Sequence, residues 1–299
     1  DTYPPYVYMD NNGDITGLDV EIAEEAFRRI KTPRLTVVYE DENIMLLDKP
    51  AGMLAHADEH EKVNTLVNHM LAYLYQKREW RPREENAFTP ALCNRIDRNT
   101  GGIVIAAKNA EALRILNDKI RDREIAKYYL CIALGRVEPP KGRIENFLRR
   151  DEKRKQVTLH DRPVPGAKTA KTLYRTLAST KELSLVECVL LTGRTHQIRV
   201  HMAEKGWPLL GDELYGGPME EFPRQALHCA GVAFTHPITG EQLCLTAPLP
   251  EDMAALLKKK GIDWQPVLSP FVEELLTVQP TTVEEITERY RKPKQKSRL

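Results

Sequence analysis

The chain has 299 residues, of which 41% are hydrophobic and 29% charged; it is long enough to bury a core, as one large domain or a catalytic domain with small appendages, and a wholly disordered chain is excluded. No apolar run approaches the roughly 20 residues that span a bilayer, so no membrane association is expected. The five cysteines (Cys93, Cys131, Cys188, Cys229, Cys244) are odd in number, widely spaced and lack a C-x-x-C pair, which argues against a disulfide framework or thiolate zinc site and fits reduced thiols in a cytoplasm.

The net charge of +1 is unevenly spread. Residues 1 to 30 hold seven acids (Asp1, Asp10, Asp14, Asp19, Glu21, Glu24, Glu25) against Arg28 and Arg29, a local −5 that leaves +6 on the remainder. That modest excess is compatible with a polyanionic partner. Residues 35 to 48 are two β-branched and apolar runs around the acidic turn Glu40-Asp41-Glu42-Asn43, which predicts a hairpin. From Asn64 to Arg78, Leu66, Val67, Met70, Leu71 and Leu74 recur at helical spacing. GGIVIAAK reads as a buried strand, and Ala112, Ile115, Leu116, Lys119 and Ile120 then mark a helix. KYYLCIALG, RIENFLRR, KQVTLH, KTLYRTLAS and LSLVECVLL follow as successive strands between turns. This order predicts an α+β fold with a largely antiparallel or mixed sheet rather than βαβ alternation. Near the end, Thr282-x-x-Glu285 is a capping box for a short helix, and Arg289, Arg291, Lys292, Lys294, Lys296 and Arg298 form a basic tail expected to be solvated and mobile.

Three segments carry candidate chemistry. In Asn94-Arg95-Ile96-Asp97-Arg98-Asn99-Thr100-Gly101-Gly102-Ile103 a carboxylate lies between two arginines and before two glycines. Guanidinium neighbours favour its ionised form, and glycines allow close approach of a substrate. An ion-paired surface turn is the alternative for this decapeptide alone. Leu191-Thr192-Gly193-Arg194-Thr195-His196-Gln197-Ile198-Arg199-Val200-His201 is dense in donors suited to phosphate or carboxylate. His196 and His201 are five apart and diverge on a helix, so no metal site is expected. Lys127-Tyr128-Tyr129-Leu130-Cys131 opens a strand whose two tyrosines point to opposite faces, one expected on the less buried side.

Together these segments resemble the RluA-type RNA pseudouridine synthases. NRIDRNTGG is similar to the family's HRLDRxTSG signature and GRTHQIRVH to its second; Leu47 to His56 resembles its KPxG segment and Gly206 to Gly216 its GhPIxGDxxYG segment. Leu227-His228-Cys229 and Ala247-Pro248-Leu249-Pro250 match its closing motifs, so the resemblance covers residues 35 to about 255. Asn94, Ile96 and Gly101 depart from the signature, where His, Leu and Ser are usual. The resemblance implies the pseudouridine synthase catalytic fold, its central sheet flanked by helices, over residues 34–262, with a basic helical tail at 263–299. It implies an isomerase that needs no cofactor and acts on RNA, large-subunit ribosomal RNA first of all, as a cytoplasmic monomer. Asp97 would be the catalytic carboxylate, Tyr129 would pack against the target base and Arg199 would pair with Asp97. Arg95, Arg98, Arg194, His196 and Gln197 would hold or open the RNA. A catalytically inert RNA-binding protein of the same fold is the alternative.

Residues 1–33 do not resemble the S4 RNA-binding domain that precedes many such catalytic domains. The run YPPYVYMDNNGDITGLDVEIAEEA resembles the opening strand, turn and first helix of periplasmic amino-acid-binding proteins. A small hairpin and helix with few contacts to the catalytic core is expected, and the acidic, polar start does not read as a secretion signal.

Overall fold

In the computed structural model, which describes residues 8–9, 15–16, 30, 32–82, 88–151, 156–266, 268, 273 and 290, the chain divides into two units, Asp1–Asp118 and Lys119–Leu299. In the first, β1 (Tyr8–Met9) and β2 (Ile15–Thr16) pair antiparallel, forming the expected hairpin. The helix expected next lies outside the described residues. Ile30 is buried in a small cluster with Ala72 and Val63, which ties the end of the extension to this unit.

The acidic turn reverses the chain as its residues suggest. The Asp41 carboxylate accepts from the backbone N–H groups of Asn43 at 2.7 Å and Ile44 at 2.8 Å, so the side chain itself satisfies the turn between β3 (Thr36–Glu40) and β4 (Ile44–Lys49). Helix α1 (Leu66–Gln76) begins after Thr65, whose hydroxyl accepts from the Asn68 N–H at 3.4 Å. Leu66, Met70, Leu71 and Leu74 on its inner face join Met45, Leu47, Val104 and Ala106 of the sheet in one core. β5 (Ala91–Leu92) and β4 both pair with β6 (Gly101–Ala107), every residue of which is buried. Helix α2 (Ala110–Arg121) starts where the Asn109 side chain accepts from the Ala112 N–H, and it carries the chain into the second unit.

That unit contains β7 (Ala126–Leu134), β8 (Lys141–Asp151), β9 (Gln156–His160), β10 (Lys168–Ser179), β11 (Leu183–Leu190), helix α3 (Gln197–Glu204), a 3-10 turn at Glu213–Tyr215, β12 (Leu227–Thr235), β13 (Gln242–Thr246) and helix α4 (Glu251–Lys259). Its strands run β13-β12-β7-β11-β10-β8-β9, and each of these ladders is antiparallel. Alternation along the strands gives each face its own cover. On one face Leu130, Ile132, Leu173, Leu185 and Val189 share a core with Met253, Leu256 and Leu257 of α4, each fully buried leucine contributing about 2 kcal/mol of transfer free energy. On the other, Val200 of α3 packs with Leu148, Val157 and Ala170. The architecture is α+β with sheets flanked by helices, as the sequence predicts.

Tyr128 and Tyr129 point to opposite faces of β7, as expected, and both are buried, with exposures of 4% and 6%; Tyr128 belongs to the core that α4 helps to build. Leu268 and Tyr290 are buried in the same core. Burial, and then the carboxylate of Glu187, push the Tyr290 phenol pKa well up; Glu187 is itself buried and receives the Arg175 Nε–H at 2.7 Å. Thr282, Glu285 and the basic residues that end the chain lie outside the described residues.

Candidate active site

In the first unit, Asp97 lies half-buried in a turn closed by the Thr100 N–H donating to the Asp97 carbonyl at 3.1 Å, immediately before Gly101 opens β6. The loop is held from below by Lys49. This side chain is fully buried, and its ammonium donates to the carbonyls of Pro50 (3.0 Å), Met53 (2.7 Å) and Arg98 (2.9 Å). A buried ammonium is tolerated only when its donors are used, so one charge clips residues 50–53 to the residue after Asp97. The Gly52 N–H adds a bond to the Arg98 carbonyl at 2.9 Å, and Gly52 has φ +89°, a conformation that glycine adopts without strain. Asn94, which stands at the signature's histidine position, accepts the Ile105 N–H at 2.8 Å and so fastens the loop to β6. Arg95 and Arg98 are exposed. Partial burial, and then the nearby Arg95 charge, hold the His56 pKa below its usual value.

In the second unit a side-chain network builds the start of α3. The Gln197 carbonyl oxygen accepts from the Thr192 hydroxyl (2.8 Å) and the Arg194 N–H (3.1 Å), while its amide donates to the Lys171 carbonyl (3.0 Å) and the Thr172 hydroxyl (2.9 Å). Thr172 Oγ in turn bonds His201 Nδ1 at 2.9 Å, and His201 Nε2 bonds Asn146 Oδ1 at 2.8 Å. Burial, then the charge of Lys205, lower the His201 pKa to about 4. The neutral ring therefore accepts from Thr172 and donates through Nε2, a tautomer assigned from its partners.

Arg199, on the same helix, is buried and forks onto Asp212: Nε donates to Oδ2 and Nη2 to Oδ1, both at 2.7 Å. Its guanidinium lies 5.1 Å from the centre of the Tyr215 ring. The Tyr215 hydroxyl accepts from the Val157 N–H at 3.0 Å and bonds His196 Nδ1 at 2.8 Å. His196 is in the left-handed region, with φ 54°. The chain can fold tightly enough to present Asp212 only because its neighbours are glycines: a Cβ on Gly211 would sit 2.0 Å from the Arg224 carbonyl oxygen, and one on Gly217 1.9 Å from that of Leu209. On β7, Tyr129 lies in register between Cys188 of β11 and Cys229 of β12. Lys127 shares its face, with a pKa lowered by burial.

The sequence matches the family model described as RNA pseudouridylate synthase over residues 43–204. A protein named uncharacterized RNA pseudouridine synthase YhcT, from Bacillus subtilis (strain 168), is 36% identical over 248 residues, covering 82% of this chain and 79% of that protein. The chain belongs to the RNA pseudouridine synthases, in their RluA-type branch. Ribosomal large subunit pseudouridine synthase D of Escherichia coli (strain K12) is 31% identical over 267 residues, covering 85% of this chain and 78% of that protein. The solved structure of human RNA pseudouridylate synthase domain containing 4 shares the fold, with a TM-score of 0.60 at 22% identity, covering 81% of this chain and 97% of that one. The protein is thus an isomerase of this family.

For a pseudouridine synthase, the residues expected to meet RNA divide sharply. Arg95 and Arg98 are exposed, and Arg194 is partly buried, with its Nε donating to the Thr169 carbonyl at 3.0 Å. Gln197 is buried, and the four hydrogen bonds above commit both ends of its amide to the protein. His196 is spent in part on Tyr215. Sequence reasoning assigned no role to Lys49, Asp212 or Tyr215, although all three lie in the two flanking motifs. The signal was their residue type: a lysine and an aspartate inside otherwise apolar, glycine-bearing segments, where burial demands a partner.

Proposed function

We propose that this pseudouridine synthase isomerises uridine in large-subunit ribosomal RNA, with Asp97 as the catalytic carboxylate. The observation that carries the reading is the buried Arg199–Asp212 fork laid over Tyr215: it holds a guanidinium in one orientation within the motif that the resemblance assigns to the site. Arg199 is the residue that the family resemblance pairs with the catalytic carboxylate, and a guanidinium held in a fork is suited to orienting an anion. The target RNA is supported by relatives named for the ribosomal large subunit in Escherichia coli and Zymomonas mobilis, the latter 35% identical over 256 residues.

In the reaction the N1–C1′ bond of uridine breaks, the uracil turns over while bound, and a C5–C1′ bond forms. C5 loses a proton and N1 ends with one, so atoms and electrons balance without a co-reactant. Asp97 either attacks or stabilises the sugar, or removes a sugar proton, as the base departs. Tyr129 covers the detached base and assists loss of the C5 proton. The uridine must leave its stack first, with Arg95 as wedge and Arg98, Arg194 and His196 on the backbone. The enzyme works as a monomer in the cytoplasm. Tritium release from transcripts carrying C5-tritiated uridine tests the reading: the purified protein should release label from large-subunit ribosomal RNA, and binding without release would leave only an inert RNA-binding protein.

A further inference from the structure

The end of the second unit's sheet where β7 begins and β11 finishes carries two arginines that the residues around them leave unneutralised. The register Val189↔Tyr128 places the segment entering β7 and the segment leaving β11 at one end, and Thr172↔Leu190 brings the start of β10 there too. Arg123 lies on the entering segment and Arg194 on the leaving one. Arg194 is partly buried and steadied twice, by its N–H on Gln197 and by its Nε on the Thr169 carbonyl. Arg123 is exposed and holds φ 67°, in the left-handed region that a non-glycine residue rarely occupies. The acids on either side of it are engaged elsewhere: Asp122 with Arg121 at 3.0 Å and Glu124 with Lys119 at 2.9 Å. Among the described residues no carboxylate pairs with Arg123 or Arg194. Burial first, and the Arg123 charge second, lower the Arg194 pKa, so the two guanidinium groups act on each other. Like charges held together without a counter-ion repel, and an anion between them turns that repulsion into two charge-assisted contacts.

We propose that Arg123 and Arg194 form a clamp for one phosphodiester of the RNA substrate, with Arg123 a binding residue outside the segments that carry the resemblance. The proposal rests on the reading above only for the identity of the anion. Both guanidinium groups would grip a single phosphate, so they should behave as a unit.

Equilibrium binding of a labelled large-subunit ribosomal RNA transcript, over a range of salt concentrations, tests it with Arg123→Gln, Arg194→Gln, the double variant and Arg136→Gln, a surface arginine paired with Glu138. Arg123→Gln and Arg194→Gln should each weaken binding about tenfold and reduce the slope of log affinity against log salt by about 1, and the double variant should lose little more than the weaker single. Arg136→Gln should change neither. An unchanged slope for Arg123→Gln overturns the clamp, as does an equal loss in Arg136→Gln, which would reflect net charge alone. Tritium release by the unaltered protein separates the two readings: an active enzyme whose Arg123→Gln variant keeps its salt slope loses the clamp alone, whereas an inactive protein with the expected slopes loses the catalytic reading alone.

Discussion

The Asp97 loop and the start of α3 are built by opposite means. In the first unit a single buried ammonium, Lys49, gathers three backbone carbonyls and fixes the loop beside Asp97. In the second, the α3 start is held by side chains binding side chains: Thr192, Gln197, Thr172, His201 and Asn146 in one chain of bonds, Arg199 and Asp212 in another. A backbone clip depends on one residue and contains acceptors that do not titrate. A side-chain network is spread over many residues, contains a histidine, and should respond to acid. The difference teaches that a loop can be preorganised by either route.

The largest effect should come from Asp212→Ala, which strands the buried Arg199 guanidinium. Removing one partner of a buried pair costs about 3–5 kcal/mol, and urea unfolding should register a loss of that order; a loss under about 1 kcal/mol would mean that the fork is not a structural anchor. Lys49→Met should come next. It leaves three carbonyls without their shared donor, at about 3 kcal/mol, and should lower pseudouridine formation by freeing the Asp97 loop. Full activity in a stably folded Lys49→Met protein would break the claim that this clip sets the loop.

The smallest effect is a pH dependence confined to the network. His201 titrates at about 4 when folded, against an ordinary value of 6.5, so the unfolded chain binds the proton more readily than the native one. The stability held by the neutral ring is therefore complete above pH 6.5 and is lost as pH falls toward 4. Between pH 6.5 and 5 the loss from this residue is about 1.5 kcal/mol. Unfolding of His201→Gln should show a correspondingly shallower pH dependence in that window; an identical curve would mean that folding does not shift the titration of this ring. His228, buried and also lowered to about 4, adds its own share in both proteins.

Much of this was legible from residue patterns. The hairpin around Asp41, helix α1 and the buried strand β6 follow from turn chemistry and periodicity that local sequence carries directly. β12 was read only as a motif, because Leu227–Phe234 is buried on both faces and shows no alternation to mark a strand. Gln197 illustrates the other limit. A donor-rich segment announces hydrogen bonding, but whether a side chain turns to the substrate or to its own scaffold depends on Lys171, Thr172 and Thr192, which only the folded sheet assembles. Tyr290 is likewise a lone aromatic in a basic tail, and nothing local indicates that it reaches the core beside Glu187. The partners of Lys49 were invisible for a simpler reason: they are backbone carbonyls, and every residue has one.

The most direct measurement is single-turnover pseudouridine formation on a large-subunit ribosomal RNA transcript by Asp97→Asn, with RNA affinity measured alongside. The account predicts that the variant binds RNA about as well as the unaltered protein and forms no detectable pseudouridine. Formation at near the unaltered rate would contradict it.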